Sequence, residues 1–182
     1  MSLLSYNRLC ELVEQGVITN VRHEQINAGS IDLTLGRTIL IEEGIAKKAR
    51  IVDFSKRESL EFMEYDIVRY GAYVLGPGEF VLAQTEQMFY LPNNICAEYK
   101  LKSSMARVGL EHLNAGWADA GWHGSVLTLE LKNMTQHHAH KLVAGMPIGQ
   151  IVFFECEPVP EDRSYASRGR YNNDSTVKGI KD

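Results

Sequence analysis

Ser125-Val126-Leu127-Thr128-Leu129-Glu130-Leu131 is the stretch that decides the fold. It has strand length, and side chains alternate along a strand. Leu127, Leu129 and Leu131 therefore share one side, and Val126, Thr128, Glu130 and Lys132 share the other. Outward from it the same texture recurs. Ile31–Leu35, Arg37–Ile41, Arg50–Phe54, Glu79–Gln84, Ile95–Leu101 and Ile148–Glu155 are short runs rich in β-formers. Gly76-Pro77-Gly78 and Leu91-Pro92-Asn93-Asn94 supply turns between them. Helical spacing appears in Ser5–Gln15, where Tyr6, Leu9, Cys10, Leu12 and Val13 share a face and Gly16 suits the position after the last turn. Ser103–Val108 has room for one more short helix. Many short strands at close spacing predict a mainly β chain with a short N-terminal helix. The expected form is a sandwich, jelly roll or distorted barrel, not a βαβ sheet.

Composition sets bounds on partners. At 182 residues and 45% hydrophobic, the chain can bury one core without disulfide staples. Nineteen basic against twenty-three acidic residues, net −4, argue against a nucleic acid polymer, which needs a clustered basic surface. A small anion held by a few local cations stays open. Cys10, Cys96 and Cys156 form no CxxC pair, so neither a secreted disulfide framework nor a thiolate zinc site is expected. With no leader pattern and no apolar run near 18 residues, the expectation is a cytoplasmic protein with no membrane partner. Residues 1–157 read as a single β-rich domain and 158–182 as a C-terminal arm. The arm is polar and carries Arg163, Arg168, Arg170, Lys178 and Lys181, which fits either a mobile tail or a lid over a ligand.

Chemistry concentrates between Tyr99 and Asn133. Lys102, Ser103, Ser104 and Arg107 place two hydroxyls and two cations within one turn of a β run. They make either a phosphate cradle or a solvated surface. Asn114-Ala115-Gly116-Trp117-Ala118-Asp119-Ala120-Gly121-Trp122 has small residues that let a backbone approach a ligand, with Asp119 an acceptor for a sugar hydroxyl. It reads equally as a glycine-rich hairpin turn with Asp119 as a local cap. Trp117 and Trp122 fit base stacking or interface packing. Glu130 either shares a solvent face with Thr128 and Lys132, or points into a site where burial raises its pKa and makes it a proton shuttle. His137-His138-Ala139-His140 reads as a polar hairpin turn.

Several ordered motifs resemble one family, the deoxycytidine triphosphate (dCTP) deaminases of the trimeric deoxyuridine triphosphatase (dUTPase) superfamily. They are the run from Ser103 to Leu110, the Asn114–Trp122 segment, and Thr128-Leu129-Glu130-Leu131-Lys132-Asn133. Asn27–Gly36 resembles an early "ASIDLRLG" signature, Leu75–Ala83 a "PGEFVLA" strand, and Gly145–Gln150 a late "G.PIGQ" element. Tyr165 with Gly169-Arg170-Tyr171 resembles a C-terminal "Y..GKY" arm. The resemblance implies a dUTPase-type fold in the nucleotide-binding domain, a homotrimer with interfacial active sites, and zinc-independent hydrolytic deamination of dCTP. Mg2+ would accompany the triphosphate, with no metal ligand from protein side chains. Lys102, Ser103, Ser104 and Gln150 would contact phosphates, with Arg170, Tyr171 and Tyr165 in the closing arm. Asp119 would hold the 3′-hydroxyl, and the backbones of Ala115, Thr128 and Leu129 would read the base. Glu130 would be the catalytic acid/base, with Arg107 and Ser103 beside it and the attacking water. The Asn114-Ala115-Gly116-Trp117 form resembles the bifunctional branch, which continues from dUTP to dUMP and pyrophosphate. The alternatives are a dUTP diphosphatase without deamination and a catalytically inactive nucleotide-binding regulator. The H-x-E and P-C-x-x-C elements of zinc deaminases are absent, as is a Walker phosphate loop.

Three positions depart from the family pattern. Asp119 and Glu130 are eleven steps apart, where the pattern has ten. An extra residue in a strand reverses every side chain beyond it unless a bulge absorbs it, so a bulge is expected at Gly124-Ser125. Arg170 stands in place of Lys, and Asp174 in place of Gln. An acidic group there is unfavourable beside phosphates and predicts a different closure of the arm.

Overall fold

The computed structural model describes residues 2–44 and 50–181. The strands are β1 (Ser2–Leu3), β2 (Ile31–Glu42), β3 (Phe62–Asp66), β4 (Tyr73–Leu75), β5 (Phe80–Tyr90), β6 (Ile95–Leu101), β7 (Leu110–Glu111), β8 (Trp117–Ala118), β9 (His123–Asn133), β10 (His140–Leu142) and β11 (Pro147–Glu155). The helices are short: α1 (Tyr6–Glu14), α2 (Ile67–Tyr70), α3 (Ser103–Arg107) and α4 (Tyr165–Arg168). The protein is mainly β, with the expected N-terminal helix, and α1 buries Leu9 and Leu12 against the sheet.

The main sheet runs β7-β9-β5-β2-β11-β6-β8, with β1 on β11 and β3 on β2. The long strand β2 belongs to both halves. Residues 31–34 pair with β11, and residues from Leu35 onward pair with β5 and β3. Strands β8 and β9 stand at or next to opposite ends of this order. Even so, Asp119, just after β8, and Glu130 on β9 line one cavity. The sheet therefore curls until its ends face each other across that cavity, as a distorted barrel does.

Alternation is obeyed on β9. Leu129 and Leu131 are fully enclosed in the core with Ile31, Leu33, Ile39, Ile151 and Phe153, while Thr128, Glu130 and Lys132 are half-buried on the other face. Two expected strands, Ile31–Leu35 and Arg37–Ile41, are one. The register slips between Leu35 and Ile39, so a bulge takes the place of a break at Gly36. The strand expected at Arg50–Phe54 does not form. The Asp53 carboxylate accepts from both the backbone N–H and the hydroxyl of Ser55, starting a 3-10 turn over Phe54–Lys56, and this local bonding displaces a ladder. The strand of this region is instead β3. Of the turn expected at His137–His140, His137 lies in a bend of an exposed loop and His140 opens β10, which leaves to pair with β4, so no hairpin forms.

The C-terminal arm is packed onto the domain. The Trp122 indole N–H and the Ser125 hydroxyl both donate to the Tyr171 carbonyl, at 2.7 and 2.8 Å. The Thr176 hydroxyl and the Val177 N–H both donate to Gln84 Oε1, at 2.9 and 3.0 Å. The glycines after β8 serve this packing. A Cβ on Gly121 would lie 1.9 Å from Ser164 Oγ, the N-cap of α4, and one on Gly124 would lie 2.5 Å from Asn173 Oδ1. Both glycines thus make room for the chain's own arm, where the sequence offers Gly121 as room for a ligand and Gly124 as the site of a bulge.

Candidate active site

A cavity of about 470 Å3 opens between β9, the segment after β8, the 52–62 segment and the arm. Glu130 reaches it because of the anticipated bulge. Phe89 pairs with Ser125 but Tyr90 pairs with His123, so Gly124 is the extra residue on β9, and its φ of +67° is a conformation glycine adopts without strain. Past the bulge, Val126, Thr128 and Glu130 all face the cavity. Leu82, 8% exposed, sits directly across the ladder from Glu130, and Phe80 and Phe62 complete an apolar surround. Burial pushes the Glu130 carboxyl up to about 7, with a backbone hydrogen bond pulling the other way. A carboxyl titrating there can both accept and donate a proton near neutrality.

Around Glu130 the cavity collects Ala115, Asp119, Thr128, Tyr165 and Tyr171. Asp119 Oδ1 accepts the Trp117 indole N–H at 2.8 Å, which leaves its other oxygen free of that bond. Leu129 is not in the cavity wall, and its side chain is in the core. Trp122 is buried against Phe89, with ring centroids 5.2 Å apart, so its large face is already occupied. Trp117 is half exposed at the rim.

Lys102, Ser103, Ser104, Arg107 and Gln150 do not line this cavity. They form a second cluster where β2, β11 and β6 meet. Gln150 lies between Asp32 and Lys100 in the ladder, and its Oε1 accepts from Ser30 Oγ at 3.1 Å. Lys102 Nζ donates to Asp32 Oδ2 at 2.6 Å, and Asn27 holds the other Asp32 oxygen at 2.9 Å. Ser103, Ser104 and Arg107 are exposed on α3. Within one chain Arg107 and Ser103 are thus not brought beside Glu130, and burial alone dominates that carboxyl. Arg170 belongs to neither cluster; its side chain is exposed, outside the cavity wall.

Sequence reading did not single out Ser30 and Asp32, which orient Gln150 and Lys102, although both stand in the early motif. Lys178 was legible only as one of the arm's cations, and no local pattern marks it as a residue of the cavity wall. Asp174 faces inward to Lys178 and Lys181 at 3.3 and 2.6 Å, so its charge is matched within the arm.

A curled β fold around a largely apolar cavity, with one carboxyl of raised pKa and an aspartate on its wall, defines a site of small-molecule size. Residues 3–156 match the family model described as dCTP deaminase-like, and the chain belongs to that family. It is 36% identical over 147 residues to the dUMP-forming dCTP deaminase of Methanosphaerula palustris, covering 80% of this chain and 76% of that one. It is 33% identical over 183 residues to the enzyme of the same name from Coprothermobacter proteolyticus, covering 98% and 90%. In fold it resembles the 2′-deoxycytidine 5′-triphosphate deaminase of Agrobacterium tumefaciens, with TM-score 0.64 and 20% identity. That match covers 83% of this chain and 48% of the longer one.

Proposed function

We propose that this protein deaminates dCTP hydrolytically, releasing ammonia, and carries the resulting dUTP on to dUMP and pyrophosphate. The observation that carries the reading is Glu130, turned into an apolar cavity by the Gly124 bulge with its carboxyl held near 7. The curated relatives named as dUMP-forming support the second step.

Water attacks C4 of the cytosine, and Glu130 accepts its proton. The carboxyl passes that proton to ring N3, then takes the second from the new C4 hydroxyl and gives it to the departing amino nitrogen, so C4–O forms and C4–N breaks with ammonia leaving. Asp119 holds the 3′-hydroxyl, and the backbones of Ala115, Thr128 and Leu129 read the base edge. Tyr165, Tyr171 and Arg170 act in the 158–182 lid. The separation of the two clusters supports a homotrimer in which a neighbour's α3 brings Arg107 and Ser103 to Glu130. Lys102, Ser104 and Gln150 then meet the phosphates. A guanidinium there tempers the basicity of the carboxylate and stabilises the charge that develops on the tetrahedral intermediate.

Mg2+ supplies charge neutralisation for the triphosphate when bound. Among the described residues no group of three or more His, Cys, Asp or Glu is arranged to hold an ion, so the phosphates are its expected ligands. Among the same residues no helix is long and apolar enough to cross a membrane.

An inactive regulator would have been favoured by a misdirected Glu130 or by an unmatched Asp174, and neither is present. Incubation with dCTP and Mg2+ should yield ammonia, dUMP and pyrophosphate. Pyrophosphate from dUTP with no ammonia from dCTP would instead mark a plain diphosphatase.

A further inference from the structure

The cavity has an unbalanced charge. Among the described residues its walls carry four carboxylates, Glu58, Asp119, Glu130 and Asp174, and a single cation, Lys178. A nucleoside triphosphate is itself strongly anionic, so a cation in the wall is the natural place for a phosphate oxygen.

The Asp174 side chain is 9% exposed and meets two ammonium groups. Lys181 holds it at 2.6 Å, donates also to the Arg170 carbonyl at 3.0 Å, and lies 5.7 Å from the centre of the Tyr171 ring. Lys181 is thereby tied into the arm on three sides. Lys178 stands off at 3.3 Å, and its side chain is 52% exposed. One carboxylate thus faces two cations, and the looser one is on the cavity. The backbone at Lys178 is nonetheless fixed. The preceding Val177 N–H donates to Gln84, which pairs across the ladder with Thr128. Only the flexible four-carbon stem of Lys178 has to swing.

We propose that Lys178 is a triphosphate-binding residue of this site, parked on Asp174 and transferred to a phosphate oxygen when the nucleotide enters. Asp174 is not stranded by the transfer, because Lys181 stays on it and satisfies a buried charge that would otherwise be costly. Asp174 is then not a phosphate ligand but the residue that positions Lys178. The nucleotide's identity rests on the function proposed above, whereas the anion subsite does not.

Calorimetric titration of the full chain with dCTP, deoxycytidine and inorganic triphosphate, at one Mg2+ concentration and in the Glu130→Gln background that blocks turnover, tests this. Lys178→Met should weaken dCTP and inorganic triphosphate by about tenfold each, the loss of one charge-assisted hydrogen bond. Deoxycytidine should bind as before, and Lys178→Arg should recover most of the loss. Unchanged affinity for both anions overturns the proposal. So does an equal loss for deoxycytidine, which would make Lys178 a structural staple of the arm. Protein with Lys178 intact that binds inorganic triphosphate but not dCTP, with the Met variant losing that binding, would leave the subsite standing and remove the dCTP reading.

Discussion

Glu130 stores a measurable cost. Its carboxyl titrates near 7 in the fold, against about 4.3 in an unfolded chain, because Leu82 and its apolar neighbours disfavour the charge. A raised pKa means that the fold favours the protonated form. That contribution is fully present below about pH 4 and is lost as pH rises through 7. The shift amounts to roughly 4 kcal/mol at its limit. Glu130→Gln should therefore be more stable than wild type at pH 8 and about equal at pH 4, read from urea unfolding midpoints. A difference independent of pH would mean that the carboxyl is solvated. Asp119 differs from Glu130 in being exposed and bonded to the Trp117 indole, so it suits binding better than proton transfer.

At the scale of elements, the bulge on β9 aims the site. Gly124→Ala would put a Cβ at positive φ and against Asn173 Oδ1, a backbone cost on the order of 1–2 kcal/mol. Its thermal midpoint should fall by several degrees. Deamination should fall further than stability explains, because a slipped register turns Glu130 away. Activity that merely tracks the folded fraction would show that the bulge is incidental. This element was legible beside the family resemblance, whose pattern has ten steps where Asp119 and Glu130 are eleven apart; strand parity then calls for a bulge, and Gly124-Ser125 offers it. The same holds for β6 and α3, whose local signals agree with their surroundings. The arm was not legible. Its order comes from contacts with Gln84, Gly121, Trp122 and Ser125 far away in the chain, which a polar composition does not announce. The Arg50–Phe54 run failed for the opposite reason, because one Asp-Ser pair overrode its β propensity.

At the scale of the whole molecule, one chain carries two clusters that do not meet. The cavity has Glu130 and Asp119, and the β2–β11–β6 junction with α3 has the exposed hydroxyls and cations. In a cyclic trimer each site takes one half from each of two neighbours, so inactive subunits can complement. Glu130→Gln and Arg107→Gln proteins, each inactive alone, should regain up to about a third of wild-type activity when mixed after partial denaturation, one intact site per mixed trimer. No recovery from verified mixed assemblies would place both residues in the same subunit's site. The proton-transfer claim itself is tested most directly by single-turnover ammonia release from dCTP with wild-type and Glu130→Gln protein, with nucleotide binding measured in parallel. The account predicts that the variant binds dCTP within a few-fold of wild type while ammonia release falls by at least about 100-fold. Ammonia release at an undiminished rate from the variant would contradict it.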